Sequence, residues 1–349
     1  LEELYLLRHP VCRFRTNYRQ GFARFLAAHA GNQPVSRAGA WFYFPWLNQL
    51  AHFLPESLHV ELKTGRNRSL ITKDEQDRFY QARVAVLGLS VGSHVALTLA
   101  MTGGAKHMTL ADPDSISGAN LNRIRDGFPA VGLSKIVSVA RQIYEMNPYA
   151  DLTLYPEGLT DDNIESVVAK AYLVIEEMDQ PYYKVKAREV ARRHLIPVLM
   201  GTDNGDNILV DVERYDLSPR YPLCHGVLGG LTAEDLRVIP PRDLPRTVAR
   251  FAGAELATSR MQRSVLAVGR TLYTWPQLGT AATMNGAVLA YLARKILVGE
   301  PLRSGRYPVN LDAIFEPGYH SRTETRRRER ETARFFKTLG LSAPAKGRP

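Results

Sequence analysis

Residues 83–101 read RVAVLGLSVGSHVALTLAM, and this stretch decides the fold. Its first five residues form a short run with β-branched side chains, and Gly88 then opens a turn. Apolar residues recur with helical spacing from Val91 to Met101. A strand, a glycine turn and a helix are therefore predicted in that order. In such a turn the backbone can approach a phosphate, and the free N–H groups at the helix start attract anions.

The same alternation continues after this unit. A second predicted strand, 107–111, ends at Asp112. Strands that alternate with helices of roughly 10–15 residues indicate crossover connections and a largely parallel sheet covered on both faces. We therefore expect an α/β fold with a Rossmann-like, doubly wound and mostly parallel sheet. The further predicted helices are 135–145, 161–169, 183–194 and 278–297, and the further strands are 152–155, 172–176, 197–201, 207–215 and 307–315.

Pattern and composition divide the chain into four segments. An N-terminal helical and aromatic extension, 1–63, is expected to pack on the core or on a partner subunit, because its cluster WFYFPW at 41–46 would invite association if exposed. A nucleotide-binding α/β domain is predicted over 64–205. Its C-terminal part, which is mixed α/β, is predicted over 206–318. The last segment, 319–349, is a basic tail.

The composition narrows the class of protein. The 349 residues carry a formal net charge of +10, and 45% are hydrophobic, which excludes wholesale disorder. Two cysteines, Cys12 and Cys224, form neither a disulfide framework nor a four-cysteine zinc site, so we expect a cytoplasmic protein. The uncharged stretch 271–293 is interrupted by polar residues too often for a membrane span, so a soluble protein without membrane contact is predicted.

The basic tail has two readings. From Arg322 onward it holds nine Lys or Arg residues against three Glu residues. Such a segment serves as an arm for nucleic acid or for an acidic partner, or it is a solvated helix with Glu–Arg side-chain pairs. No aromatic-rich groove or zinc-finger spacing accompanies it, so the sequence does not favour nucleic acid.

The residues after Asp112 point to a specific chemistry. The chain reads DPDSISGANLNR over 112–123, GLSK over 132–135 and MDQ over 178–180. A dense set of Asn, Arg and Lys suits AMP transfer, because fixed cations stabilise the charge that develops on the α-phosphate and on pyrophosphate. Over roughly residues 64–300 these motifs resemble the ThiF/MoeB/HesA family of adenylating enzymes, the ubiquitin-activating type, in a bacterial subgroup that lacks the zinc cysteines.

This resemblance implies an enzyme that uses ATP and Mg²⁺. Gly88, Ser90 and Gly92 would line the ATP phosphates. Asp112 would hold the ribose hydroxyls, and Asp114 would belong to the same nucleotide site. The glycine loop departs from the family pattern, because it is one residue shorter and has a serine in place of a glycine.

The resemblance also assigns the charged groups. Asn120, Arg123 and Lys135 would contact the triphosphate and stabilise the transferring phosphoryl group. Asp179 would bind Mg²⁺ near the phosphates. Arg68, upstream of the first strand, would reach into the site of the other subunit of a homodimer.

The reaction predicted is attack of a carboxylate on ATP to give an acyl-adenylate and pyrophosphate. The acid would be the C-terminus of a small protein, such as a ubiquitin-like protein, or of a peptide, or a free small acid. Cys224, followed by His225, is placed where a reactive thiol could form a thioester, but we expect Cys224 to be a partly buried structural cysteine. Two alternatives remain open: an oxidoreductase that binds NAD or FAD, and a non-catalytic scaffold that binds nucleotide.

Overall fold

The computed structural model describes residues 1–14, 18–240 and 244–341. The strands in this part of the chain are β1 (Ala40–Phe44), β2 (Gln49–Phe53), β3 (Arg83–Leu87), β4 (His107–Ala111), β5 (Asp151–Tyr155), β6 (Leu173–Glu176), β7 (Val198–Asn204), β8 (Asn207–Glu213) and β9 (Gly305–Val309).

The α-helices of the described residues surround and extend this set. They are α1 (Glu2–Arg8), α2 (Arg19–Ala30), α3 (Glu56–Lys63), α4 (Lys73–Tyr80), α5 (Val91–Met101), α6 (Lys135–Met146), α7 (Ile164–Ala169), α8 (Pro181–Arg193), α9 (Ala233–Arg237), α10 (Leu244–Phe251), α11 (Ser259–Ala267), α12 (Gly279–Val298), α13 (Leu311–Phe315) and α14 (Arg322–Leu339).

Seven strands form the central sheet, in the order β5-β4-β3-β6-β7-β8-β9. The first five in this order are parallel to one another, and β8 and β9 are antiparallel additions at one side. The predicted α/β fold with a mostly parallel sheet is confirmed.

The chain moves outward from β3 to β5 and then returns to start β6 on the other side of β3. This reversal places a crevice at the carboxyl ends of β3 and β6, where ligands bind in open α/β sheets.

Alternate residues of β3 point to opposite layers. Val84 and Val86 belong to the core formed with α5, α6 and α12. Ala85 and Leu87 belong to the core on the other face, with α7 and α8. A strand buried on both faces is continuously apolar, which is why this run could be recognised in the sequence.

The helix α12 packs closely on α5. A side chain at Gly286 would lie 2.6 Å from the Cβ atom of His94, so only glycine permits this approach.

The described residues contain no helix with the length and apolar character that a bilayer crossing requires. The predicted uncharged helix is thus a core helix that covers one face of the sheet.

The aromatic N-terminal cluster forms the β1–β2 hairpin. Phe44 is buried, Phe42 packs edge-on against Tyr149, and Trp46 donates a hydrogen bond to Glu145 at the end of α6. The hairpin therefore packs on the α/β part of its own chain. Trp41 remains exposed on the outer face. The division into four segments stays a prediction.

The predicted strand 307–315 is wrong in its second half. The strand β9 ends at Val309, and the helix α13 begins at Leu311. Asn310 causes the change, because its Oδ1 atom accepts a hydrogen bond from the backbone N–H of Ala313 at 2.9 Å and caps the helix.

The basic segment at the C-terminus begins with an ordered helix, α14. Its Phe335 and Phe336 side chains are buried in an apolar cluster, and the helix ends at Gly340, whose φ of +64° is left-handed. Lys346 and Arg348 of the predicted tail lie outside the described residues.

Replacing Gly88 with alanine tests the turn between β3 and α5. Gly88 has a φ of +89°, and a Cβ atom there would lie 2.5 Å from the carbonyl oxygen of Glu177. We expect Gly88→Ala to lower the free energy of unfolding by about 2 kcal/mol or more, measured by urea denaturation. The matched control is Gly118→Ala, where a Cβ atom meets nothing within 4 Å. Equal losses in the two variants would contradict the close contact with Glu177.

Candidate active site

The candidate site lies where β3, β4 and β6 end. A residue that the sequence singled out follows each of these strands. Gly88 comes directly after β3, Asp112 comes directly after β4, and Asp179 lies three residues after the end of β6. Because the three strands are parallel neighbours, their carboxyl ends share one edge of the sheet. The predicted residues therefore converge although they are up to 91 positions apart in the chain (179 − 88).

The glycine turn brings α5 close to the end of β6. A side chain at Gly92 would lie 3.0 Å from Val86 and 3.5 Å from the Cβ atom of Glu177. Ser90 is the N-cap residue of α5, and its Oγ atom is buried and has no hydrogen-bond partner among the described residues. A buried hydroxyl without a partner is costly, and a phosphate oxygen beside the helix N-terminus would satisfy it.

Asp112 joins the ends of two strands. Its Oδ2 atom accepts a hydrogen bond from the backbone N–H of Leu89 at 2.6 Å, and its Oδ1 atom accepts one from the N–H of Asp114 at 2.8 Å. Burial raises the pKa of this carboxyl group, and the charge of Lys135 and the two N–H groups oppose that rise. Each carboxylate oxygen has a second lone pair, so ribose hydroxyls could still donate to it.

Lys135 stands at the first position of α6, and only 6% of its surface is exposed. Its Nζ atom lies 2.7 Å from Asp114 and 3.7 Å from Asp112. The structure thus brings these three predicted residues together as one charged group. The two carboxylates surround the ammonium group with negative charge. An incoming phosphate would compete with Asp114 for the ammonium group.

Arg123 faces two carboxylates across the crevice. The charges of Asp203 and Asp179 both favour its ionised form, while partial burial lowers its pKa. One guanidinium nitrogen donates to the carbonyl oxygen of Ala119 at 2.9 Å and to Asn122 at 3.0 Å. Its Nε atom is buried and has no partner among the described residues. The side chain is therefore held in place while one donor remains available.

Asp203, at the end of β7, was not found by the sequence analysis. It is 4% exposed, its Oδ1 atom accepts a hydrogen bond from Asn285 at 2.7 Å, and its Oδ2 atom lies 3.4 Å from Gln277. Burial raises the pKa of its carboxyl group to about 6 against the attraction of Asn285 and Arg123. The only sequence signal was its position, because a carboxylate at a parallel strand end is a site candidate.

His94 was also missed, because it lies within the apolar run of α5. It is buried, with Nε2 in hydrogen-bond contact with the carbonyl oxygen of Arg123, and its Nδ1 atom is 3.1 Å from the Nε of Arg125. Nδ1 must accept from the guanidinium, so Nε2 carries the proton and the ring is neutral. Burial also lowers its pKa. His94 thus fixes the backbone of the loop that carries Arg123.

Two predicted residues have structural partners that their assigned roles did not anticipate. The Oδ1 atom of Asn120 accepts from the backbone N–H of Ser117 at 3.0 Å, which leaves its amide nitrogen for a ligand. Arg68 pairs with Glu61 at 2.8 Å and donates to the carbonyl oxygen of Leu7 at 3.1 Å. It lies beside α1 and α3 of its own chain, so the structure does not bring it to the crevice of the same subunit.

The residues present fit a nucleotide but do not form a metal cage on their own. The described residues contain no group of three or more His, Cys, Asp or Glu side chains arranged to hold a metal ion. Mg²⁺ is commonly held by one or two carboxylates together with substrate phosphates, so exposed Asp179 alone would suit it only when ATP is bound.

Cys224 lies away from solvent in a network of buried charges. Arg188 contacts Glu176 and Glu213 directly, and Glu213 also accepts from the backbone N–H of Cys224 at 2.7 Å. Burial raises the pKa of the thiol to about 12. A thiol in these surroundings is not a nucleophile at neutral pH.

Two large cavities lie outside the crevice. One, of about 1000 Å³, lies beside α3 and α4 and includes Arg68 and Lys106 in its walls. The other, of about 1460 Å³, begins at Asp206 and Leu278, next to the Asp203–Gln277 contact, and runs between α11 and α14. The second cavity reaches Leu278, the neighbour of Gln277, whose side chain contacts Asp203.

Replacing Asp203 with asparagine should change the pH dependence of stability. Because its folded pKa of about 6 is above its ordinary value of 3.8, the protonated form stabilises the fold at low pH, and this contribution is lost as pH rises through 6. We therefore expect the difference in unfolding free energy between Asp203→Asn and the original protein to shift in favour of the variant, on the order of 2–3 kcal/mol, between pH 4 and pH 7.5. Denaturant titrations at each pH measure it, with exposed Asp162→Asn as a control that should change less. A difference for Asp203→Asn that stays constant with pH would contradict the raised pKa.

Comparison with known proteins shows the family of this chain. Residues 64–329 match the model of the ThiF family. An uncharacterized protein of Mycobacterium tuberculosis is 36% identical over 282 residues, which are 81% of this chain and 39% of that protein. The tRNA threonylcarbamoyladenosine dehydratase of Escherichia coli is 34% identical over 137 residues, 37% of this chain and 49% of that protein. The chain therefore spans half or less of the length of these two relatives.

A solved structure supports the fold alone. The crystal structure of PaaA aligns with 73% of this chain and 77% of its own, with a TM-score of 0.51 and 19% sequence identity. The family model covers most of the chain, including the glycine turn and every residue of the crevice described above. This chain belongs to the ThiF family.

Proposed function

We propose that this protein adenylates a carboxylate with ATP and releases pyrophosphate. The observation that carries the proposal is a pair of buried donors, Ser90 Oγ and Arg123 Nε, for which the described residues offer no hydrogen-bond partner. Ser90 follows β3, and Arg123 lies in the loop after β4 and is linked to α5 through His94. Both groups could donate to phosphate oxygens. Membership of the ThiF family and the resemblance to adenylating enzymes support the same assignment.

The geometry suggests how the nucleotide would be held. Ser90 and the N-terminus of α5 would receive the phosphates, and Gly88 and Gly92 would let the backbone come close to them. Asp112 would accept hydrogen bonds from the ribose hydroxyls. Asn120 would contribute its amide nitrogen, because its oxygen is already used within the chain.

In the chemical step, a carboxylate oxygen of the acid attacks the α-phosphorus of ATP, and the bond to the bridging oxygen of pyrophosphate breaks. Arg123 and Lys135 would stabilise the negative charge that develops on the phosphates. Bound Mg²⁺ would neutralise phosphate charge, with Asp179 as its protein ligand. Buried Asp203 would help to hold Arg123 by charge attraction.

A homodimer is part of the proposal. Arg68 would act in the site of the partner subunit, but it would first have to leave Glu61, to which it is bound in its own chain. Arg66, two residues earlier, is exposed and forms no ion pair within the described ranges. The acid itself is either a small molecule or the C-terminus of a peptide or small protein, including the ubiquitin-like class.

Substitution of Arg123 tests the proposed chemistry. We expect Arg123→Gln to lower the rate of acid-dependent ATP–pyrophosphate exchange by roughly 100-fold or more, because it removes a fixed positive charge from the transition state. The matched control is Arg220→Gln, which removes an exposed arginine elsewhere. Both variants should melt within a few degrees of the original protein. Unchanged exchange in folded Arg123→Gln, or tight NADH binding without ATP binding, would overturn the proposal.

Substitution of Cys224 tests whether a thioester is required. Because the thiol is buried and its pKa is about 12, we expect Cys224→Ala to keep exchange within roughly threefold of the original rate. The same assay measures it, after a melting curve has shown that the variant is folded. Loss of all exchange in the folded variant would show that the thiol takes part.

A further inference from the structure

The outward face of α14 carries a row of positive charge. Arg322, Arg326, Arg330 and Arg334 are spaced four residues apart, and Lys337 lies on the same side, so the five cations fall within an arc of about 120° over about 22 Å. All five are exposed, and none forms an ion pair within the part of the chain that the structure describes. We call these five residues the basic face.

The opposite side of α14 fixes the helix to the protein. Phe335 and Phe336 are buried against Ala249 of α10 and Ala254, and Gln262 of α11 donates to Thr332 at 2.9 Å. Glu324 and Glu331 pair with Arg327, which is not one of the five residues of the basic face. Among the described residues the third glutamate of α14, Glu329, forms no ion pair with the basic face. The basic face thus lies on a helix that is packed against the rest of the protein.

The basic face borders the cavity of about 1460 Å³. Glu329 and Ala333 line this cavity, and each lies three residues after a member of the basic face, Arg326 and Arg330, and so next to it on the helix surface. The inner end of the cavity is formed by Asp206 and Leu278. One surface therefore extends from the basic face into an open groove whose inner end is formed by Asp206 and Leu278.

The inner end of this groove meets the proposed adenylation site. Leu278 is adjacent to Gln277, whose side chain lies 3.4 Å from Asp203 and whose carbonyl oxygen accepts from Asn122 at 2.8 Å. Asn122 in turn precedes Arg123. A chain lying in the groove would thus bring its end close to the loop that carries Arg123.

We propose that the basic face docks an acidic polypeptide and that the C-terminal tail of this polypeptide enters the groove to be adenylated. The groove is larger than the roughly 300–1000 Å³ that small-molecule pockets occupy, so a small free acid would leave most of it empty. Five exposed cations that form no ion pair with the described residues complement a cluster of Asp and Glu side chains. The entry of the tail rests on the proposed adenylation, whereas docking on α14 does not require ATP.

The lining of the groove favours a polypeptide over a nucleic acid. Its carboxylates at least equal its cations in number, so the groove has no excess of positive charge to attract a phosphodiester backbone. The carboxylates are Asp206, Glu255, Asp312, Glu316 and Glu329, and the cations are Arg260, Arg263, Arg327 and Arg328. The basic face itself consists of Arg and Lys side chains and offers no aromatic ring on which a base could stack.

Fluorescence anisotropy with a labelled peptide of 20 glutamates tests the docking. We expect the full chain to bind it with an affinity that falls steeply between 50 and 300 mM salt. The variant Arg322→Glu, Arg326→Glu, Arg330→Glu and Arg334→Glu should bind at least about tenfold more weakly. The matched control reverses four exposed cations elsewhere, with the same change in net charge: Arg19→Glu, Arg24→Glu, Lys170→Glu and Arg220→Glu.

Three results would overturn the inference. These are no binding of the glutamate peptide at 50 mM salt, equal weakening by the two quadruple variants, and tighter binding of a 20-nucleotide single-stranded RNA than of the peptide. Melting curves and ATP binding should be unchanged in both quadruple variants. Arg123→Gln should still bind the glutamate peptide, so failure of the proposed adenylation and failure of the docking can be told apart.

Discussion

The carboxylate of Asp112 is the constraint on which the site depends. It receives the N–H group of Leu89 after β3 and the N–H group of Asp114 after β4, and it lies beside the ammonium group of Lys135 at the start of α6. A hydrogen bond to a charged group contributes about 1.5–3 kcal/mol, so this one side chain sets the relative positions of three elements. An uncharged side chain could not accept from both backbone groups and hold the lysine as well.

The groups that build this edge are also the ones that a nucleotide would need. The glycine turn, the helix start and the strand ends each leave polar groups at this edge, and Ser90 and Arg123 have donors that no other described residue uses. His94 shows how far the supporting structure extends, because a neutral ring inside α5 holds the loop of Arg123 from behind. The fold thus supplies orientation, and the charged side chains supply the electrostatics.

The sequence predicted what local pattern and short motifs encode. The strands and helices from Arg83 to Asp203 follow their apolar periodicity, Gly88 and Asp112 follow strand ends, and Lys135 begins a predicted helix. Asp203 also follows a predicted strand, but its role could not be read from the sequence, because its contacts with Asn285 and Arg123 join residues about 80 positions apart. The family motif also could not reveal that Arg68 is bound by Glu61 in its own chain.

The last strand of the sheet has a chemical peculiarity. Pro308 of β9 pairs with Leu209 of β8, and proline carries no backbone N–H group. The rim formed by this short strand therefore lacks one of the donors through which a foreign strand could extend the sheet. Together with the capping of α13 by Asn310, which ends the strand after Val309, this makes the rim a poor template for intermolecular β-pairing and so protects the molecule against aggregation by strand addition.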